Sequence, residues 1–120
     1  MHLVSSGLDV TASVTLQHGD ASSVGAATGT ATQSGVHRAV ALATLDAVES
    51  LLGASVRFEL DHIDVTQAGS DRTVVAGVTL VSTRGNERLT GAAVVRDDVR
   101  QAVIRATLDS LNRRIEKLLP

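Results

Sequence analysis

Two stretches of this chain repeat one hydrophobic pattern at helical spacing, and the segments between them alternate between apolar and polar residues. Val36 to Leu52 and Val99 to Leu119 align without a gap at an offset of 63 residues. The alignment places Ala43-Thr44-Leu45-Asp46 over Ala106-Thr107-Leu108-Asp109. Apolar positions that recur three and four residues apart predict a helix in each stretch.

Each predicted helix carries two apolar rows. One row is Val36, Ala39, Val40 and Ala43, matched by Val99, Ala102, Val103 and Ala106, and the other is Ala41, Leu45, Val48 and Leu52, matched by Ile104, Leu108, Leu111 and Ile115. At about 100° per residue the rows lie on different sides of the helix. Each helix therefore has two apolar sides to bury. One would pack against a sheet, and the other against either the sister helix or a second subunit. Helices with two apolar sides predict a homodimer or a higher homo-oligomer.

The remaining segments read as strands. Alternation predicts strands at residues 8–17, 23–32, 56–66, 73–82 and 88–95, with a short extra strand near residues 2–6. The apolar parity switches between Leu60 and Ile63, which predicts a β-bulge. Gly85-Asn86 is predicted at the tip of a hairpin loop over residues 83–87.

Capping residues mark the ends of both helices. Ser34, or else Gln33, is predicted as the N-cap of the first helix, and Gly53 ends it. Asp97 or Asp98 is predicted to cap the second helix, where a carboxylate suits the positive end of the helix dipole.

The order of elements predicts one α+β domain over residues 1–120. Ala12 to Leu16 resembles Ala76 to Leu80, so the strands repeat as the helices do. We therefore expect two duplicated βββα-like units, at about residues 8–53 and 54–119. They would build one antiparallel sheet, or two facing sheets, with both helices packed on one face.

The amino-acid composition argues against several classes of function. Phe58 is the only aromatic residue, so no aromatic platform is available for stacking bases or sugars. A formal net charge of −2 gives no bulk attraction to nucleic acid or to anionic membranes. Cysteine is absent, which excludes disulfides and thiolate chemistry. With no apolar run of membrane-spanning length and no signal peptide, a cytoplasmic protein is expected.

Several short matches resemble the C-terminal regulatory domain of the α-isopropylmalate synthase and citramalate synthase family. Ala106 with Leu111-Asn112-Arg113 is similar to its A-x4-A-L-N-R ending, and Asp46 falls where its first helix carries an I-D pair. Thr66 to Asp71 resembles in part its T-G-G-T-D-A turn, and the likeness in pattern covers residues 8–116. The resemblance implies a duplicated βββα domain that dimerises and binds a feedback amino acid near the subunit interface.

This chain also departs from the family pattern. Gly29 to Ala39 lacks the proline and the aspartate of the family's G-x-G-N-G-P-x-D-A segment, and these 120 residues do not include the family's catalytic barrel, so synthase activity is not expected of them. A small amino-acid-like or carboxylate ligand is expected at glycine-rich turns beside the start of the first helix, where backbone N–H groups attract a carboxylate. The predicted ligand-binding residues are Ser34, Gly35, Gly69, Ser70 and Asp71.

One histidine–aspartate pair could take part in acid–base or metal chemistry. His62 and Asp64 lie two apart on a predicted strand, so both face one side as an acid–base dyad, a metal pair or a local hydrogen bond. We expect a solvated edge or a local hydrogen bond. His37 is expected at an exposed polar position of the first helical turn. No catalytic residue, metal ligand or cofactor is predicted.

The arginines of the second half allow another interpretation. From Val36 onward the order helix, three strands, helix is that of a double-stranded-RNA-binding domain. Five arginines lie in or beside the second helix: Arg96, Arg100, Arg105, Arg113 and Arg114. Asp97 and Asp98 stand where phosphates would approach, so we expect these arginines to be paired or solvated.

We therefore expect a non-enzymatic regulatory or small-ligand-sensing module that acts as a homo-oligomer. The alternative is a structural or scaffolding protein with a protein partner and no small ligand. A ligand-dependent rise in melting temperature distinguishes the two.

Overall fold

The computed structural model describes residues 1–53 and 56–118, except the side chains of residue 113 and of residues 115–118. In chain order the elements are β1 (His2–Ser6), β2 (Asp9–His18), β3 (Ala21–Thr30), α1 (Gln33–Leu52), β4 (Arg57–Ala68), β5 (Asp71–Ser82), β6 (Gly85–Val94) and α2 (Val99–Leu118). Three strands and a helix therefore occur twice. The predicted α+β class and the two βββα arrangements are confirmed, although the predicted unit ends at residues 54 and 119 lie outside the described part.

The six strands form two antiparallel sheets rather than one. β1, β2 and β3 pair in that order in the first sheet, and β4, β5 and β6 pair in that order in the second. Each sheet is a meander because every strand pairs with its neighbour in the chain. The register of β4 with β5 shifts between Leu60 and His62, so the predicted bulge is confirmed.

The two helices lie side by side and run in the same direction. α1 packs on β2 and β3, α2 packs on β5 and β6, and the helices also contact each other. Gln33 and Arg100, from the first turns of the two helices, line a common cleft. At the far end, Leu52 and Asn112 line another. Both helix N-termini therefore lie at one end of the molecule.

The apolar rows of both units meet in one core. Its fully buried members include Val10, Ala12, Val14, Val40, Ala43, Val74, Ala76, Val78, Val103, Ala106 and Leu111. With so few aromatic side chains, valine, alanine and leucine fill the interior, and small residues let the helices approach the sheets closely.

The second cover of α1 comes from within the chain. Its two sides are covered by its own sheet and by α2 with β4. The second apolar side of α1 was predicted to pack against either the sister helix or a second subunit. In the structure the sister helix packs there. On α2 the second row is less covered, because Ile104 and Leu108 are only partly buried, and the side chain of Ile115 is outside the described part. Assembly into a homo-oligomer stays a prediction.

Two pairs of equivalent residues make equivalent contacts in the two units. Asp46 Oδ2 accepts a hydrogen bond from the backbone N–H of Ala26 in β3, and Asp109 Oδ2 accepts one from Ala92 in β6, both at 3.0 Å. Thr44 donates its hydroxyl to the Val40 carbonyl, and Thr107 to the Val103 carbonyl, both at 2.8 Å. The repeated Ala-Thr-Leu-Asp segment thus joins each helix to the last strand of its own unit.

Asp46→Ala and Asp109→Ala should each lower the free energy of unfolding by about 1 kcal/mol, the usual net contribution of one hydrogen bond. The strand N–H that loses its partner lies at an exposed site and can turn to water. Urea denaturation followed by circular dichroism measures both changes. Equal losses are expected, and a large loss in one unit with none in the other would show that the paired contacts are not equivalent.

The predicted first-helix cap is wrong by two residues. Thr32, not Ser34 or Gln33, is the N-cap, because its hydroxyl accepts from the Gly35 N–H at 3.0 Å while its own backbone is extended. β3 ends at Thr30, which leaves Thr32 free for this role. At the other end Gly53 follows the helix at φ 76°, as predicted.

Two further boundaries differ. The β5–β6 hairpin pairs Ser82 with Gly85, so the turn is Thr83-Arg84, and Gly85-Asn86 begins β6 instead of forming the tip. Asp98 caps α2, as predicted, by accepting from the Arg100 N–H at 2.9 Å. Within the described residues, neither helix is long and apolar enough to cross a membrane.

Candidate functional site

A cleft of about 430 Å³ lies between the first turns of α1 and the end of the second sheet. It is lined by Gln33, Ser34, His37, Ile63, Asp64, Val65, Thr66, Gln67 and Arg72. α1 belongs to the first unit, while β4 and β5 belong to the second, so neither unit alone contains this cleft. Its volume is in the range of small-molecule sites, which run from about 300 to 1,000 Å³.

Two basic side chains, His37 and Arg72, line this cleft together. His37 is half-buried, and burial, followed by the positive charge of Arg72, lowers its pKa below the ordinary 6.5. The neighbouring guanidinium resists a second positive charge. The imidazole is therefore neutral near pH 7, and an anion between the two side chains would relieve the repulsion that opposes its protonation.

The end of α1 adds positive potential to the cleft. Its N-cap is the neutral Thr32, and no acidic residue lies in its first turn. The partial positive charge of a helix N-terminus is therefore not offset by a carboxylate of the same helix. At α2 the situation differs, because Asp98 binds the Arg100 side chain at 3.0 and 3.1 Å, and this pairing holds the pKa of Asp98 below its usual value.

The structure separates the predicted ligand-binding residues into two groups. Ser34 lines the cleft, and Gly35 packs in the same turn, where a Cβ would overlap the Thr30 carbonyl. Gly69 and Ser70 form the tip of the β4–β5 hairpin, and Asp71 begins β5. None of these last three lines the cleft, although the next residue, Arg72, does.

Sequence reasoning missed His37 and Arg72 as partners. His37 was expected at an exposed position, but it is half-buried and lines two clefts. Arg72 fell in a segment that the pattern assigned to a turn. The only local signal was a neutral N-cap followed by histidine in the first helical turn. The approach of the second sheet to this turn is a tertiary contact without a local signature.

His62 and Asp64 lie together on the outer face of the second sheet. His62 Nδ1 and Asp64 Oδ2 are 2.8 Å apart, as the predicted local hydrogen bond requires, and both side chains are about half exposed or more. The imidazole lies over Gly77 of β5, where a Cβ would overlap the ring. Among the described residues, no group of three or more histidine, aspartate or glutamate side chains could hold a metal ion.

Three arginines of the second half already have partners. Arg100 binds Asp98, Arg114 binds Glu87, and Arg105 donates to the Val94 carbonyl at 2.9 Å. The side chain of Arg113 lies outside the described part. An RNA phosphate would compete with these contacts for the same guanidinium groups.

The cleft combines a guanidinium, a half-buried imidazole, a hydroxyl and an amide with the positive end of a helix. These groups can bind a small carboxylate through charge-assisted hydrogen bonds. Asp64 at the same cleft can accept from an ammonium group. No protein-family model, no curated protein and no solved structure matches this chain.

Proposed function

We propose that this chain is a non-enzymatic regulatory module that binds a small carboxylate or amino-acid-like ligand and acts as a homo-oligomer. The observation that carries the proposal is the placement of Arg72 and His37 in one cleft at the neutral-capped start of α1. Because the cleft joins the two units, a bound ligand would stabilise their contact. A ligand that binds only the folded state raises its stability by mass action.

The chemistry of the lining favours a carboxylate. The planar guanidinium of Arg72 can donate two parallel hydrogen bonds to such a group, and Ser34 and Gln33 offer further donors. Asp64 and Thr66 also line the cleft and supply acceptors, as an amino acid would need. Ile63 and Val65 give the cleft an apolar part for a short aliphatic side chain.

The placement of the acid–base pair supports a function without catalysis. His62 and Asp64 bind each other on an open sheet face, and His62 does not line the carboxylate cleft. General acid–base catalysis requires the base within hydrogen-bond reach of a held substrate. The resemblance to the synthase regulatory domain supports the same proposal, since the order βββα occurs twice here.

The homo-oligomer in this proposal has a candidate surface. Val4 and Val24 are 52% and 61% exposed, and their strand partners Thr11 and Thr15 are exposed as well. They lie on the outer face of the first sheet, away from the core residues Ala12 and Val14. Sedimentation at micromolar concentrations tests the assembly, and a compact monomer would contradict it.

A thermal-shift screen tests ligand binding. Amino acids and keto acids are compared with nucleotides, and a carboxylate at 100 times its dissociation constant should stabilise the fold by about 2.7 kcal/mol. Arg72→Gln should remove this shift, because it deletes the charge that pairs with the ligand. Arg88→Gln is the matched control, since Arg88 is an exposed arginine of the same sheet that does not line the cleft. A shift that survives Arg72→Gln, or none with any carboxylate, would contradict the proposal.

A further inference from the structure

We propose that the cleft takes up a proton together with its anion, and that His37 holds this proton. The inference rests on the proposed carboxylate binding and adds how that binding is regulated. His37 would then make the module sensitive to pH in the range where histidines titrate. A carboxylate bound between Arg72 and His37 would be held by two positive groups instead of one.

His37 has charged neighbours on every element packed against it. From the second sheet, Arg72 and Asp64 line the first cleft that it shares. From the start of α2, Asp97, Asp98 and Arg100 line the second. Asp98 and Arg100 bind each other, so their charges largely cancel at His37. On α1 itself, the cleft residues Gln33 and Ser34 are neutral.

Binding of an anion reverses which protonation state of His37 its surroundings favour. Without the anion, burial and the nearby guanidinium lower the pKa of His37, so its neutral form is favoured. A carboxylate in the cleft neutralises Arg72 and gives the imidazolium a partner. An opposite charge within hydrogen-bond distance raises the pKa of a histidine. Bound and free protein would therefore differ in proton content in the pH interval between the two pKa values of His37.

The equivalent positions in the repeat show that the fold does not require a histidine and an arginine at this cleft. Residues 8–16 and 72–80 align position for position, and Leu8, 84% exposed, stands where the second unit has Arg72. The helix alignment places Arg100 at the position of His37, and Arg100 is bound to Asp98. In the strand register, Val4 pairs with Thr11 where Asp64 pairs with Val75. The histidine–arginine pair therefore occurs at the junction of α1 with the second sheet, and the equivalent positions at α2 and the first sheet do not repeat it.

The sign of the pH effect distinguishes binding from stability. Because the folded protein lowers the pKa of His37, this residue stabilises the free fold above pH 6.5, and that stability is lost as the pH falls through the lowered pKa. Affinity for the anion should change in the opposite direction. It should rise as the pH falls, by at most about tenfold per pH unit for one proton.

Isothermal titration calorimetry with 2-oxobutyrate tests the inference on the full chain, because this keto acid stays ionised from pH 7.5 to 5.5. Titrations in two buffers with different ionisation enthalpies count the protons taken up. We expect affinity to rise by about tenfold or more over this interval, within the limit of about 100-fold that one proton sets over two pH units. In His37→Gln the affinity should be independent of pH. His2→Gln, at an exposed position outside the cleft, should behave as the wild type.

Proton NMR of the imidazole supplies a readout that does not depend on a variant. Adding 2-oxobutyrate should raise the titration midpoint of His37. Binding without proton uptake, or an unchanged His37 midpoint, would overturn the inference while the proposed function stands. Failure of 2-oxobutyrate and every other carboxylate of the screen to bind at any pH would overturn both.

Discussion

Replacing Leu45 by alanine should lower the free energy of unfolding by about 2–5 kcal/mol, the range for truncating a fully buried leucine. Leu45 is 2% exposed and lies in the core cluster that the two units share. α1 is covered by its own sheet, by α2 and by β4, so the surroundings have little freedom to collapse into the cavity. Circular dichroism during urea denaturation measures the change, since the chain lacks tryptophan and tyrosine.

Leu108→Ala is the matched control for this substitution. Leu108 occupies the same position of the repeated Ala-Thr-Leu-Asp segment, but its side chain is only partly buried. It has less apolar area to lose, so a clearly smaller decrease is expected. Equal losses at the two positions would contradict the unequal burial of the second apolar rows.

Gly25→Ala should destabilise the protein by about 1–3 kcal/mol or more, as overpacking of a closed interior does. A Cβ at Gly25 would overlap the carbonyl oxygen of Ala43 and the backbone nitrogen of Ala47. Both atoms are helix backbone and cannot rotate away, so α1 would have to move off β3. Thermal and urea denaturation measure the loss.

Gly91→Ala repeats the same test in the second unit, where the Cβ would overlap the Ala106 carbonyl and the Ser110 backbone nitrogen. Thr28→Ala is the control on the exposed face of β3 and should change stability by no more than about 0.5 kcal/mol. If either glycine accepts alanine without loss, the helix and strand cannot lie as closely as the structure places them.

Local patterns were sufficient for much of the fold. The period of the apolar residues located both helices, and the parity switch near Leu60 located the bulge. The predicted ends of helices and strands were wrong where neighbouring residues could each act as the cap or the turn. Thr32, a hydroxyl residue assigned to the preceding strand, was a better cap than Ser34 once β3 ended at Thr30. Similarly, Gly85-Asn86 has the composition of a turn, but cross-strand pairing extended β6 through it.

The residues of the cleft were harder to predict from the sequence than the fold. Ser34 was predicted because a helix start is visible in the sequence, and it lines the cleft. Arg72 and His37 carry no motif that links them. Their proximity depends on how the second sheet packs beside the start of α1, and the hairpin tip at Gly69-Ser70 does not line the cleft.

By itself the sequence determined the two βββα units, their apolar rows and the repeated Ala-Thr-Leu-Asp segment, because each depends on spacing within a short segment. Only the tertiary structure decided that the strands form two sheets, that the sister helix covers α1, and that one imidazole and one guanidinium share a cleft. These features depend on the relative placement of whole units. That placement is selected by the total area buried between them, to which no single stretch of residues corresponds.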